Sequence, residues 1–311
     1  MKLTAFPPII SRFPKRHAMA AVAMASLTCL AGVAHAAVLT FTPGTPIVTT
    51  TYAGLTVGNS ITDIGWTGAA APAATSPTYI LGATPRGTGY GGSSPVIEAT
   101  PGARRLASSP EVTGLPEFKG GDTVYFSAWV NRIGSQSSGA RVALRTVSAS
   151  YVGGFGIVDT KPSGMEVGNT FAIGVTIWSE DDQPSLKWIY SEEQAKANHW
   201  YEMALVVEVD PVDITLSLGS VFVRDATAGE TEFRPVEGLT GITMGFTEDR
   251  NLNQFTYWRL EGFQNSVQLG SLSVGKVAAI PEPSTASLQL AAAVLLFGVP
   301  GVLKWFAGRR D

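Results

Sequence analysis

The string of residues best suited to acid–base chemistry is the run Glu208-Val209-Asp210-Pro211-Val212-Asp213. Residues two apart on a strand share a face, so Glu208 and Asp210 could present two carboxylates to one substrate. Two carboxylates about 5–9 Å apart are what glycoside hydrolysis requires. Pro211 has no N–H to donate to a sheet, which favours a strand that ends in an acidic turn, with Asp213 starting the next strand. We therefore expect no catalytic residues, and a hydrolase or lyase that uses Glu208 and Asp210 is the least favoured alternative.

Other nucleophilic and metal chemistry is restricted by residue counts. The chain has one Cys and three His, and removal of the first 36 residues, argued below, would leave only His199. That excludes a Cys–His dyad and a multi-His zinc site. A Ser–His–Asp triad would need His199, but the sequence contains no G-x-S-x-G elbow. We interpret His199 as a solvated or capping residue.

Two oxygen-rich clusters are candidate calcium sites, because Ca²⁺ binds six to eight oxygens. One cluster, within residues 180–183, contains Asp181 and Asp182, and the other, within residues 248–253, contains Asp249 and Asn251. Neither follows the EF-hand spacing, so solvated loop acids are the default interpretation. Calcium is the one candidate cofactor.

Aromatic side chains offer flat apolar surfaces on which sugar rings can stack. The chain has seven Trp and eight Tyr, and Trp188 and Tyr190 are the candidates for glycan contact because they flank an acidic, Pro-containing loop. Adjacent residues of a strand point to opposite faces, so at most half of the aromatics can form one platform. Packing within a disulfide-free core is the competing use.

Composition limits the class of protein. Of 311 residues, 15% are charged, 34 are Gly and 19 are Pro, whereas soluble domains average about 25% charged residues. Residues 37–280 carry 15 Lys and Arg against 23 Asp and Glu, a net charge of −8. An acidic surface disfavours phosphate backbones and anionic lipids as partners. We expect a turn-rich β protein that does not bind nucleic acid.

The central region, residues 37–280, predicts a single all-β domain, an antiparallel β-sandwich. Segments of alternating β-branched and aromatic residues recur about every ten residues, with Gly, Pro, Asp or Asn between them. They cover residues 124–130, 141–145, 170–178, 200–209, 214–223, 241–246, 255–263 and 267–274. Residues 43–95 indicate loops and short strands. A soluble helix is predicted over residues 191–197, with Ser191 as its cap.

The first 36 residues have the three parts of a secretory signal peptide. Basic residues without acids occupy 1–17, an uncharged apolar stretch covers 18–31, and Ala34 and Ala36 are the small residues of a cleavage site. We expect export through the Sec translocon and cleavage by signal peptidase after Ala36. The alternative is an N-terminal anchor that is not cut.

The last 31 residues, 281–311, also have three parts. Pro281-Glu282-Pro283 is followed by an apolar helix over about 288–306 and by the basic residues Lys304, Arg309 and Arg310. At ~1.5 Å per residue this helix covers about the thickness of the hydrocarbon core, so it is predicted to be transmembrane. Positive charge would keep its far end in the cytoplasm. An ordinary single-pass anchor is one interpretation.

The order of these three parts resembles the PEP-CTERM sorting signal of exported proteins in Gram-negative bacteria. The resemblance implies that an exosortase, a membrane cysteine protease-transpeptidase, cuts near the Pro-Glu-Pro motif. It also implies that the inner membrane holds the chain only as a transient intermediate, after which the protein reaches the cell surface or the extracellular space.

The central region contains four motifs in a characteristic order. They are Gly65-Trp66, the strand 124–129 after Gly-Gly-Asp, His199-Trp200-Tyr201 at the start of a strand, and the closing strand 267–274. In this order they resemble the LamG-like, concanavalin A-like jelly rolls of exported surface proteins, over about residues 38–276. The resemblance implies a jelly-roll fold and does not fix the function. We expect a non-catalytic surface or matrix protein associated with extracellular polysaccharide or biofilm. The alternative is a lectin-like module that binds carbohydrate, with or without calcium.

Overall fold

The computed structural model describes residues 41–53, 56, 58, 60–68, 80–98, 106–133, 139–148, 150–158, 172–179, 185–262 and 267–277. They belong to one compact unit that begins at Phe41. The predicted signal peptide, the Pro281-Glu282-Pro283 motif, the apolar segment and the basic end lie outside the described residues, as do Asp181 and Asp182. Within the described ranges, no helix has the length and hydrophobicity to cross a membrane.

The described residues form sixteen strands and three short 3₁₀ helices, Ile61–Ile64, Ile214–Leu216 and Leu252–Gln254. The strands are β1 Pro43–Thr50, β2 Thr67–Gly68, β3 Ile80–Ala83, β4 Val96–Glu98, β5 Leu106–Ser108, β6 Thr123–Arg132, β7 Ala140–Arg145, β8 Tyr151–Val158, β9 Ala172–Ser179, β10 Ser185–Gln194, β11 Trp200–Glu208, β12 Leu218–Asp225, β13 Arg234–Pro235, β14 Ile242–Thr243, β15 Tyr257–Gly262 and β16 Val267–Val277.

These strands make two antiparallel sheets, as the sequence predicts. The nine-stranded sheet has the order β13-β12-β11-β6-β16-β4-β3, with β1 paired to β16 and β14 paired to β12. The seven-stranded sheet has the order β10-β9-β8-β7-β15-β5-β2. Alternate residues of both sheets enter one hydrophobic core. There Phe126 of β6 meets the edge of Trp258 of β15, with 6.0 Å between ring centroids.

The helix predicted over residues 191–197 is wrong, because these residues continue β10 as far as Gln194. Tyr190 pairs with Gly174, and after a bulge Gln194 pairs with Ala172. The hydroxyl of Ser191 accepts the N–H of Glu193, but the residues that follow do not turn into a helix. Sheet pairing here outweighs local helix propensity.

The glycine-rich strand β8 has no counterpart in the predicted set of strands. Its sequence, YVGGFGIV, lacks a clear alternation of polar and apolar residues. It is a central strand, paired with β7 on one side and β9 on the other. The partners on both sides supply the order that its own residues do not specify.

Candidate functional site

The outer face of the seven-stranded sheet has a floor of small residues in its middle. The outward positions of β8 and β9 are held by Gly154, Gly156, Gly174 and Thr176. Phe155 and Val175 alternate inward and join the core. At Gly156, where φ is +153°, a Cβ would overlap the carbonyl oxygen of Ala140, so only glycine fits. We call these four outward residues the glycine floor.

Two aromatic residues of β10 stand at one side of the glycine floor. Trp188 pairs with Thr176 and Tyr190 pairs with Gly174, and both side chains are half-buried. Their rings are nearly parallel, with 19° between the planes and 6.3 Å between the centroids. The two residues that the sequence singled out therefore lie together and form a flat apolar surface. We call this pair the aromatic platform.

Three arginines lie at the other side of the glycine floor. Arg141 and Arg145 are on β7, and between them Ala143 pairs with Arg259 of β15. The three arginines take outward positions, because the residues that alternate with them on these strands, Val142, Leu144, Trp258 and Leu260, are core residues. Sequence analysis identified residues 141–145 only as a strand. The signal that could have found them is the spacing of four between Arg141 and Arg145, which puts both on one face.

Arg141 reaches from this side to the aromatic platform. Its guanidinium carbon lies 4.9 Å from the centroid of the Trp188 ring. Since β8 and β9 separate the two strands, the Arg141 side chain must extend over the glycine floor. The arginine therefore occupies a stacking position on Trp188, held by a cation–π attraction.

Arg145 is the most buried of the three arginines, with 5% of its surface exposed. Its guanidinium carbon lies 3.7 Å from the centroid of the Tyr151 ring. Its Nε and Nη1 atoms are buried without a hydrogen-bond partner, as is the Oγ1 atom of Thr176 on the glycine floor. Buried donors without partners are costly, because water no longer solvates them. This face therefore contains unsatisfied hydrogen-bonding groups in its interior.

The acidic run after β11 forms a turn and does not place a carboxylate pair on a strand. The strand ends at Glu208, and Oδ1 of Asp210 accepts the N–H groups of Val212 and Asp213. The next strand starts at Leu218, so the prediction that Asp213 starts it is wrong. Asp213 instead caps a 3₁₀ helix. Hydrogen bonds donated by the hydroxyl and the N–H of Thr215 lower the pKa of the Asp213 carboxyl.

The candidate calcium ligands Asp249 and Asn251 lie in a tight turn before β15. The hydroxyl of Thr247 donates to Asp249, which lowers the pKa of that carboxyl. Oδ1 of Asn251 accepts the N–H of Asn253, and its Nδ2 donates to the carbonyls of Thr247 and Glu248. In the part of the chain that the structure describes, no three His, Cys, Asp or Glu side chains gather at one point.

Asp210 and Asn251, which are distant in sequence, line one open cleft of about 530 Å³. The cleft lies between residues 117–120, the turn at 209–214 and residues 251–254. Neither residue of the aromatic platform lines it. The candidate residues named from the sequence therefore lie at two separate places. The acidic turns are at this cleft, and the aromatic pair is on the seven-stranded sheet.

His199 is half-buried and paired with Asp225, whereas the sequence was interpreted as giving a solvated or capping residue. Its Nδ1 atom lies 2.8 Å from Oδ2 of Asp225, and the two side chains are 25% and 5% exposed. The carboxylate of Asp225 also accepts the N–H of Ala228. The His199 ring stacks on Tyr201, which faces Asp225 across β11 and β12. The pair fastens the end of this hairpin.

No protein-family model and no curated protein sequence matches the chain. Among solved structures, a galectin of Caenorhabditis elegans aligns with 15% identity over 57% of this chain and 95% of its own, at a TM-score of 0.29. The CBM2 module of the evolved Dit protein of Lactobacillus casei BL23 phage J-1 aligns with 10% identity over 75% and 95%, at a TM-score of 0.37. An alginate lyase from Aplysia kurodai aligns with 10% identity over 58% and 82%, at a TM-score of 0.36.

Proposed function

We propose that this chain is an exported surface or extracellular-matrix protein whose β-sandwich binds extracellular polysaccharide without cleaving it. The observation that carries the proposal is the aromatic platform. Trp188 and Tyr190 are half-buried, nearly parallel and on the same sheet face. Two rings held in this way by a strand offer a rigid apolar surface to the faces of sugar rings.

The shape around the platform favours a polymer over a small ligand. The four residues of the glycine floor are buried, so the accessible surface is the exposed part of Trp188 and Tyr190 along β10. A chain of sugars can lie along this strand with successive units on the two rings. Several weak contacts along one polymer add to a useful total affinity.

The absence of catalysis is part of the proposal. Its support is the position of the two acids that the sequence offered for hydrolysis. Glu208 is the last residue of its strand, and Oδ1 of Asp210 accepts two backbone N–H groups in the turn that follows. A general acid or nucleophile needs its carboxyl directed at a substrate, whereas the Asp210 carboxyl is engaged within its own turn.

Export and sorting rest on the two ends of the chain. We propose that signal peptidase removes residues 1–36 and that an exosortase acts near Pro281-Glu282-Pro283, with biofilm matrix or cell surface as the destination. Mass spectrometry of C-terminal peptides from surface material tests this. We expect peptides that end near residue 281, and intact peptides that reach Arg309 in the mature pool would contradict tail removal.

The binding proposal is tested with the purified full chain on a panel of immobilised polysaccharides. Retention and the release of reducing ends are measured with and without a calcium chelator, for the wild type, Trp188→Ala and Leu216→Ala. Leu216 is the matched control, because it is an apolar side chain with 58% exposure outside this sheet. We expect retention without release, lost at least tenfold in Trp188→Ala and unchanged in Leu216→Ala.

Each other outcome contradicts a stated part of the proposal. Release of reducing ends would make the protein an enzyme. Retention that disappears with the chelator would assign binding to the acidic turns at Asp249 and Asn251. Retention that survives Trp188→Ala would exclude the aromatic platform, and no retention on any polymer would exclude binding.

A further inference from the structure

We infer that the polysaccharide bound at the aromatic platform is a neutral one, and that Glu192 and Gln194 bind its hydroxyl groups. This inference rests on the proposed function, because it names the ligand class of the same site and two residues that complete it. Its starting point is β10 itself, in which two polar side chains follow the two aromatic ones at the same spacing of two.

The sheet register puts the platform and Gln194 on one face. Trp188, Tyr190 and Gln194 pair with the β9 positions 176, 174 and 172, which alternate along that strand. Side chains opposite alternate positions of a neighbouring strand lie on the same face of a sheet. Glu192 lies within the bulge between Tyr190 and Gln194. Its direction follows from the residues on either side of it.

Those neighbouring residues are directed away from the outer face. Ile189 packs against the core, and Ser191 is 2% exposed. The carboxylate of Glu193 accepts two hydrogen bonds from Arg234 of β13, in the other sheet, at 2.7 and 2.5 Å. Alternation therefore leaves Glu192 on the outer face, where its side chain is exposed. We call four residues of β10 the outward row: Trp188, Tyr190, Glu192 and Gln194.

The polar end of the outward row is accessible to a ligand. Glu192 and Gln194 are both exposed, and β10 is the last strand in the order of its sheet. In the part of the chain that the structure describes, neither side chain takes part in a hydrogen bond or an ion pair. A ligand that binds them therefore displaces no contact within the protein.

A carboxylate and a carboxamide beside two aromatic rings suit a sugar polymer. The faces of sugar rings stack on the aromatic rings, and hydroxyl groups project from the sugar's rim. The Glu192 carboxylate can accept hydrogen bonds from two neighbouring hydroxyls, and bonds to a charged acceptor are stronger than those between neutral groups. The Gln194 amide can both donate and accept. Positions two apart on a strand are separated by about 6.6 Å, so the row can contact successive sugars.

The charge of the outward row disfavours an acidic polymer. Glu192 is the one charged residue of the row, and residues 37–280 have a net charge of −8. A carboxylate on the sugar would lie against the Glu192 carboxylate, and like charges repel at this distance. Arg141 is already stacked on Trp188 and faces Glu261 in the sheet register. Selection of a neutral polymer therefore results from repulsion of the acidic ones.

The experiment compares polymers with and without added charge. The purified full chain is titrated calorimetrically with dextran, galactomannan and hydroxyethyl cellulose, and with the carboxymethyl derivative of each. In about 0.15 M salt, charges more than about 8 Å away are largely screened, so nearby charges dominate.

The proteins compared are the wild type, Glu192→Gln, Gln194→Ala, Trp188→Ala and Glu237→Gln. Glu237 is the matched control, because it is an exposed glutamate between β13 and β14 of the other sheet. Its replacement changes the net charge by the same amount as Glu192→Gln. Thermal unfolding checks that every variant is folded.

We expect the wild type to bind a neutral polymer at least tenfold more tightly than the carboxymethyl derivative of that polymer. Glu192→Gln should weaken binding of the neutral polymer at least threefold, because the charged acceptor is lost, and should reduce the ratio below about threefold. Gln194→Ala should weaken neutral binding about threefold. Glu237→Gln should leave both affinities unchanged.

Failure of this inference is distinguishable from failure of the proposed function. Neutral binding that is lost in Trp188→Ala but unchanged in Glu192→Gln and Gln194→Ala overturns the roles of the two polar residues and leaves the proposed function standing. Equal or tighter binding of the carboxymethyl derivatives overturns the selection, as does an equal effect of Glu192→Gln and Glu237→Gln. Absence of binding to all six polymers overturns the inference. The proposed function falls with it only if Trp188→Ala also leaves retention on the wider panel unchanged.

Discussion

The outer face of the nine-stranded sheet is covered by aromatic residues of the chain itself, whereas on that of the seven-stranded sheet the aromatic platform is half-buried beside the buried glycine floor. Phe41 packs on Tyr125 and Phe222, with ring centroids 5.5 and 5.3 Å apart. Tyr90 packs on Trp129 and Trp200, at 5.3 and 4.4 Å. In the described part of the chain, the two hydrophobic clusters outside the main core both lie on this covered face.

Each face has an arginine over a tryptophan, and the surroundings differ. Arg224 lies 5.3 Å from the Trp129 ring and its Nε donates to Glu202 at 2.7 Å. Burial raises the pKa of Glu202, although Arg224 opposes that rise. On the other sheet, Arg141 lies over Trp188 and the nearby Arg145 leaves two nitrogens without hydrogen bonds. The ion pair of Arg224 and Glu202 therefore contributes to stability, whereas the buried Arg145 carries hydrogen-bonding groups that are not satisfied.

Replacing one tryptophan on each face gives the largest expected contrast. Trp200 is fully buried and its Nε1–H donates to the carbonyl of Arg86 at 2.8 Å, so Trp200→Ala should lower the free energy of unfolding by about 3–5 kcal/mol. Trp188 is half-buried, so Trp188→Ala should cost about 1 kcal/mol. Urea unfolding of the full chain measures both changes.

The same two variants should show the opposite order of effects on polysaccharide retention. Trp188→Ala should lose retention, and the folded fraction of Trp200→Ala should retain polysaccharide as the wild type does. Equal losses of stability would mean that Trp188 belongs to the structural core, and the contrast between the two faces would then fail.

The fold was largely predictable where strands alternate clearly. β6 and β11 follow polar turns in the sequence. Their predicted bounds, 124–130 and 200–209, differ from the observed bounds by at most two residues. β8 was missed because its glycines give no alternation, and residues 191–194 were predicted as helix because Ser, Glu and Gln are typical of a helix start. In both places the neighbouring strand decided the outcome.

The candidate site was only half predictable. Trp188 and Tyr190 could be found because they flank an acidic, Pro-containing loop, and the structure adds that their spacing of two puts both on one sheet face. That the platform faces Arg141 from three strands away depends on the order β10-β9-β8-β7, which no local pattern encodes. Nor could the sequence show that Arg224 has a carboxylate neighbour and that Arg145 stacks on Tyr151, because these contacts depend on register.

Replacing one arginine on each face should give the next largest contrast. Arg224→Met leaves the Glu202 side chain, which is 15% exposed, without its partner, and should cost about 2–3 kcal/mol, less than a fully buried pair. Arg145→Met removes a buried cation that lacks two hydrogen bonds and should stay within about 1 kcal/mol of the wild type.

The pH dependence of Arg224→Met checks the cause. A carboxyl with a raised pKa in the folded state takes up a proton more readily there than in the unfolded chain, so stability rises as pH falls through that pKa. The deficit of Arg224→Met should therefore shrink between pH 7 and pH 4. A deficit that is constant over this range would mean that lost packing, and not the stranded Glu202, causes it.

The smallest expected effect concerns the exposed end of the nine-stranded sheet, where Asp122 pairs with Lys276 of β16 at 2.7 Å. Burial raises the pKa of Asp122, but hydrogen bonds from the N–H of Lys119 and the ammonium of Lys276 outweigh it, so the pKa is lowered. A carboxyl whose pKa is lowered in the folded state stabilises the fold at pH values above its unfolded pKa of about 3.9, and this stabilisation is lost as pH falls through the folded-state pKa.

Asp122→Asn should therefore lower the free energy of unfolding by less than about 1 kcal/mol at pH 7, because the Lys276 side chain is 41% exposed. At pH 2 the substitution should leave the free energy of unfolding unchanged. Urea unfolding at both pH values measures this, and Asp122→Asn with Lys276→Met should cost less than the two single changes added. Full additivity would show that this pair, unlike Arg224 and Glu202, contributes no mutual stabilisation to the covered sheet.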